Sequence, residues 1–148
     1  MDVTVTVERY SPADKKSVFL LLDAAELPFQ DLTDEKLEHF WVARDTRGTV
    51  AAVVGVEPFA PYGLLRSLAV APGRRGYGLG SKLLKQVENN ARKQGIKTLY
   101  LLTDTVVGFF SQRGYDTVSR DDVPDAIRST SEFTVTCPQD ATCFTKTL

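Results

Sequence analysis

The sequence predicts a single-domain α/β fold over residues 1–148, a mixed, twisted sheet of about seven strands carrying about four helices. Three observations predict it. Valines alternate with polar residues near the start, the period of a half-buried strand. Between residues 64 and 102 a strand, a glycine-rich loop, an amphipathic helix and a second strand follow one another, the order of a βαβ unit with parallel strands. The length of 148 residues, 43% hydrophobic and 25% charged, suits one domain with its own core.

The elements follow in order. Val3, Val5 and Val7 alternate with Thr4, Thr6 and Glu8 as strand one. Ser11, Pro12 and Asp14 form a helix-start signal, with serine as cap and proline at the first helical position, so helix one is expected over 12–25. Leu27 and Pro28 break it, and Thr33-Asp34-Glu35 opens a short second helix towards His39. Strands two and three are expected over 40–44 and 49–57, around the turn Asp45-Thr46-Arg47-Gly48. Pro58 and Pro61 then interrupt, and 64–70 reads as a largely apolar fourth strand. Leu79, Leu83, Leu84, Val87 and Ala91 share one helical stripe that Gly95 is placed to end. Residues 96–102 follow as strand five, 106–112 as a short helix, and 115–119 and 142–146 as closing strands.

Composition excludes several classes. No apolar run approaches the roughly 20 residues that a membrane-spanning helix needs, since Asp23 closes even the stretch 18–22. The opening residues lack a basic region followed by a long apolar one, so the cytoplasm is the expected address. A net charge of −1 argues against a general nucleic-acid binder, although 74–97 holds seven basic residues against one acid, Glu88. His39, Cys137 and Cys143 cannot build a four-ligand zinc site from those residue types alone, and no metal is expected. His39 and Trp41 read as core or pocket wall.

The segment with chemistry in it is Pro72-Gly73-Arg74-Arg75-Gly76-Tyr77-Gly78-Leu79-Gly80, between a strand and a helix. Its glycines let backbone N–H groups converge and a bulky ligand approach, while the helix that follows offers unpaired N–H groups and a positive dipole end. This is an anion cradle. A nucleotide-binding Walker loop needs glycine, lysine, then serine or threonine, whereas here Gly80-Ser81-Lys82 reverses that order. A dinucleotide fingerprint needs G-x-G-x-x-G after an early strand, whereas Gly76, Gly78 and Gly80 alternate. The run Arg75-Gly76-Tyr77-Gly78-Leu79-Gly80 instead resembles the acyl-coenzyme A loop of the GNAT N-acetyltransferases. Leu68-Ala69-Val70 before it, residues 110–115 after it and the order of elements along nearly the whole chain are similar as well.

That resemblance implies acetyl transfer from acetyl-CoA, as co-substrate, to an amine. The diphosphate is expected on the amides of Arg75, Gly76, Tyr77, Gly78, Leu79 and Gly80, with Ser81 beside them and the pantetheine arm along Leu68, Ala69 and Val70. Thr103 and Phe110 are expected near the thioester end. The reaction needs a neutral amine, a stabilised oxyanion and a proton for the thiolate. Deprotonating a lysine amine at pH 7 costs roughly 4.6 kcal/mol and a peptide-like α-amine about 1.4 kcal/mol. Glu57, at the end of strand three, is the candidate base, directly or through water, or else a solvated strand-end glutamate. The N–H of Val70, supplied by a distortion in strand four, is the candidate oxyanion donor. Many members carry a tyrosine four residues before a Gly-Phe or Gly-Tyr pair as the thiolate's proton donor. Counting back from Gly114-Tyr115 reaches Phe110, which leaves Ser111 and Tyr115 as candidates, besides water or the product itself. Phe110 also sustains the alternative of a non-catalytic module that binds coenzyme A and only senses or sequesters a ligand.

Residues 101–103, 108–110, 113–115 and 122–128 are similar to the C-terminal half of the amino-acid acetyltransferases, which include the N-acetylglutamate synthases. Leu64-Leu65-Arg66-Ser67-Leu68-Ala69-Val70 and the tail from Cys137-Pro138 to Cys143 resemble the small N-acetyltransferases associated with arsenic resistance, where threonine is more usual than Asp104. An amino-acid-like acceptor needs a cation for its carboxylate, which arginine grips with two parallel hydrogen bonds. Arg66 and Arg128 are the candidates, with Thr103 alongside, unless each arginine is held in an internal ion pair, for instance with Asp121 or Asp122. Cys137 and Cys143 are a trivalent-arsenic site or two small buried apolar residues. The expected partner is a small-molecule amine, not nucleic acid or membrane, with a homodimer left open.

Overall fold

A computed structural model describes residues 4–103, 106–136 and 141–148, and the chain divides into two compact units, Met1–Val56 with Ser67–Asn90 and Glu57–Arg66 with Ala91–Leu148. In the first unit, β1 (Val5–Arg9) alternates half-buried Val5 and Val7 with exposed Thr6 and Glu8. Helix one starts at the expected cap: Ser11 is the N-cap residue of a capping box with Asp14, whose carboxylate accepts the Ser11 N–H at 3.0 Å, and Pro12 follows it. The first turn, Pro12–Asp14, is 3₁₀, and α1 proper is Lys15–Ala24. The Thr33 hydroxyl accepts the Lys36 N–H at 3.2 Å and so starts α2 (Asp34–Leu37).

β2 (Phe40–Asp45) and β3 (Val50–Phe59) pair antiparallel, with Phe40 opposite Gly55 and Val42 opposite Val53. Asp45 shapes the turn between them, its Oδ1 accepting the N–H groups of Arg47 and Thr49, each at 2.9 Å. Gly48 takes a φ of +84°, which glycine adopts without a steric cost. Val18, Leu22, Leu37, Phe40, Val42, Val53 and Ala69 form this unit's core, with Phe19 and Phe29 packed against it.

Pro58 does not interrupt the third strand as expected. β3 runs through it to Phe59, and β4 (Tyr62–Val70) follows after only Ala60-Pro61. Gly55 is the last β3 residue opposite β2, so proline's missing N–H at 58 breaks no ladder bond on that side. α3 (Leu79–Lys93) buries the expected stripe of Leu79, Leu83, Leu84, Val87 and Ala91, and Gly95 follows it at φ +84°.

In the second unit β5 (Thr98–Thr103) runs parallel to β4, with Tyr62, Gly63 and Leu64 opposite Thr98, Leu99 and Tyr100. α4 (Val107–Ser111) leads to β6, which is only Asp116–Thr117 instead of the expected 115–119, because Tyr115 turns into the core and Ser119 caps a 3₁₀ turn over Arg120–Asp122. α5 (Asp125–Arg128), a π-turn over Glu132–Thr136 and β7 (Thr142–Thr147) complete the chain. β7 pairs antiparallel with both β5 and β6. Leu64, Tyr100, Val123, Ile127 and Cys143 form this unit's core. The seven strands make one mixed sheet in the order β1-β2-β3-β4-β5-β7-β6. Among the described residues no helix is long and apolar enough to cross a membrane.

Candidate functional site

The glycine loop lies in the first unit and is anchored before it opens. The Ala71 N–H donates to the Ala51 carbonyl at 2.8 Å, and the Arg74 N–H closes a 3₁₀ turn onto the Ala71 carbonyl at 2.8 Å. Gly76 and Gly78 then take φ of +88° and +77°, backbone that a side chain would strain. A Cβ at either position would meet no atom within 4 Å, so conformation, not crowding, calls for glycine there, and the space beside the loop is open to a ligand. The Lys82 N–H donates to the Gly78 carbonyl at 3.1 Å, so α3 opens directly from the glycine loop and the Leu79 and Gly80 amides stand in its first turn. Leu79 is buried and pins this turn, whereas Arg75 and Tyr77 are exposed. The residues fit a diphosphate: glycine backbone, first-turn amides and exposed Arg75, Lys82 and Lys85 share one loop and helix.

The end of β4 carries the expected distortion, at Ser67. This buried, non-glycine residue has a φ of +63°. It breaks the strand's alternation: residues 64–67 are all buried, after which Leu68 and Val70 are half-buried and Ala69 between them joins the core. Leu68 and Val70 therefore share the more open face.

In the second unit Glu57 and Arg66, expected in separate roles, meet each other. Arg66 Nη1 donates to Glu57 Oε2 at 2.8 Å, and its Nε lies 3.8 Å from Glu132 Oε1. All three are buried, so Glu57 is not a solvated strand end. The carboxylates expected opposite Arg66, Asp121 and Asp122, are instead exposed on their 3₁₀ turn. Arg128 is 43% exposed in its side chain and pairs with Asp125 one turn earlier on α5. Thr103 Oγ1 accepts the Val106 N–H at 3.3 Å.

Phe110 is buried, edge-on to Phe109 and Tyr115 with ring centroids 5.2 and 5.3 Å away. Tyr115 is buried in that cluster, and Ser111, the next helical position, is exposed. Burial pushes the Cys143 thiol up to about 11 and keeps it protonated near neutrality, against a role that needs thiolate. Cys137 and Asp104 lie outside the described residues. In the first unit, Arg9 stacks over Trp41 at 5.0 Å, and His39 contributes its carbonyl to the Val56 N–H at 3.4 Å. Sequence reasoning passed over Ser67 and Glu132, neither of which carries a local signal, and read Asp45 only as a turn residue.

The acetyltransferase (GNAT) family pattern matches residues 7–115. The chain belongs to this family. It is 35% identical over 106 residues to an amino-acid acetyltransferase of Pseudomonas syringae pv. tomato, covering 70% of this chain and 24% of that protein. To the amino-acid acetyltransferase of Ectopseudomonas mendocina it is 30% identical over 127 residues, 84% of this chain and 28% of the relative. The chain thus spans about a quarter of the length of the curated relatives it matches. Among solved structures, N-acetylglutamate synthase from Neisseria gonorrhoeae, complexed with coenzyme A and N-acetyl-glutamate, superposes with a TM-score of 0.86 at 20% identity, over 100% of this chain and 36% of that one. Rv2747 from Mycobacterium tuberculosis, in complex with CoA, gives 0.82 at 21% identity over 97% of this chain and 99% of that one. At these identities the two structures speak for the fold.

Proposed function

We propose that residues 1–148 act as one acetyltransferase domain that moves the acetyl group of acetyl-CoA onto the amine of a small, amino-acid-like acceptor. The observation that carries this reading is the loop at Gly76 and Gly78, whose positive φ values and open surroundings at the start of α3 suit a backbone cradle for an anion. The family match and the amino-acid acetyltransferase relatives support the chemistry and the acceptor class. The amides of residues 75–80 hold the diphosphate, Leu68 and Val70 line the acyl arm, and the Val70 N–H stabilises the oxyanion. Glu57 takes the ammonium proton, directly or through water. The amine then attacks the thioester carbonyl, the C–S bond breaks, and a proton from water, Ser111 or the new ammonium converts the thiolate to thiol.

Of the two candidate arginines, Arg128 is the better grip for the acceptor's carboxylate. An exposed pair between residues three apart on a helix contributes well under 1 kcal/mol and is readily exchanged for a substrate carboxylate. Arg66 would have to leave buried carboxylates and instead orients Glu57. The resemblance to the small N-acetyltransferases associated with arsenic resistance favours a role for this reaction in arsenic or toxin resistance.

The test is thiol release from acetyl-CoA with a panel of amino acids and acidic amino analogues, alongside calorimetric titration with coenzyme A. Turnover with at least one α-amino acid or analogue is expected. Binding of coenzyme A with no turnover across the panel would replace the enzyme by the sensing module, and absence of binding would remove both.

A further inference from the structure

The arginine that opens the glycine loop is already engaged. Arg74 Nη2 donates to Asp45 Oδ2, while Asp45 Oδ1 holds the N–H groups of Arg47 and Thr49 at 2.9 Å each. The Asp45 side chain is only 8% exposed and that of Arg74 30% exposed. One carboxylate therefore ties the β2–β3 turn to the residue just before the amides expected to hold the diphosphate. From Arg74 the chain has four residues, Arg75 to Gly78, before buried Leu79 fixes the start of α3. Two of those four are glycines at positive φ, the part of the loop with the greatest conformational freedom. A short, glycine-rich span points its amides one way only if both ends are held.

We infer that Asp45 is a positioning residue for acetyl-CoA: by holding Arg74 it orients the amides of residues 75–80, and Arg74 serves as a strut, not as a phosphate ligand. The inference rests on the acetyl-CoA reading above. The backbone N–H of Thr49, with that of Arg47 and the Arg74 guanidinium, holds the Asp45 carboxyl below the usual carboxylate range against partial desolvation, so the tie keeps its charge at neutral pH.

Asp45→Asn suits the test because its amide oxygen still accepts from Arg47 and Thr49 while the charge facing Arg74 is lost. With Arg74→Gln and the double variant it makes a cycle read by calorimetry with coenzyme A, by KM and kcat, by thermal melting and by amide exchange of residues 75–80 without ligand. Each single variant is expected to weaken coenzyme A binding and raise KM for acetyl-CoA by up to about tenfold. The expected kcat lies within about twofold of wild type, the loop amides exchange faster, and the double variant is no worse than either single one, because both remove the same tie. Unchanged affinity in Asp45→Asn would overturn the inference. So would a further loss, with a shallower salt dependence, when Arg74→Gln is added to Asp45→Asn, since Arg74 would then be touching phosphate itself. A wild-type chain that does not bind coenzyme A would refute the parent reading. Loop exchange in the unliganded variants would still decide whether the tie holds the amides.

Discussion

At the scale of single residues, the buried arginine decides most. Arg66 looks out of place in an apolar strand when read from sequence, and that oddity marks it correctly as special. Its partners were not legible: Glu132 stands 66 positions further on, on a π-turn with no sequence signal, and joining it to Arg66 takes the tertiary fold. Removing one member of a buried ion cluster leaves charge behind in a medium that solvates it poorly. Arg66→Met is therefore expected to destabilise the chain by about 3 kcal/mol or more, read from urea midpoints at constant m-value. Adding Glu57→Gln to that variant is expected to restore part of the loss, because the carboxylate no longer has to be held without its guanidinium. If the two losses simply added, the pair at 2.8 Å would carry no coupling and the role of Arg66 in orienting Glu57 would fall.

At the scale of elements, whatever depends on local period or local turn chemistry was legible. The alternating first strand, the Thr33 cap, the Asp45 turn and the stripe of α3 all stand where the pattern puts them. The misreadings occur where tertiary pairing overrides a local signal: Pro58 looks like a breaker, yet it sits past the end of its β2 neighbour, and Tyr115 has strand character but is taken by the aromatic cluster. The β2–β3 pair holds a further constraint that periodicity does not reveal. Gly55 lies opposite Phe40, and a Cβ there would stand 2.1 Å from the Phe40 ring, far inside contact distance. Phe40 is fully buried, so the ring has little room to yield. Gly55→Ala is expected to cost about 1–3 kcal/mol by overpacking, seen as a lowered melting temperature. Phe40→Leu in the same chain should return part of it by making space. A Gly55→Ala variant as stable as wild type would show that β2 and β3 separate without penalty, contrary to the packing described.

At the scale of the whole molecule, charge balance links stability to pH. The net charge of −1 conceals carboxylates that the fold depends on in ionised form. Asp14 is the clearest. Burial pushes its carboxyl up, but the Arg44 guanidinium at 3.0 Å and the Ser11 N–H outweigh this and hold it below the ordinary range. Arg44 is pushed further up in return, first by Asp14 and then by Glu8. With the folded value below the unfolded one, the unfolded chain binds more protons in the window between them. The stabilisation is complete above the unfolded value of about 3.9 and drains away as pH falls through the lower folded value. Wild type should therefore lose stability progressively below about pH 4, while Asp14→Asn starts lower at pH 7 and declines with a shallower slope. The two curves are expected to converge at the acid end, where wild-type Asp14 is neutral as well. Urea midpoints taken from pH 7 to pH 2.5 check this, and curves that stay parallel throughout would show that Asp14 contributes through shape and not through its charge on Arg44.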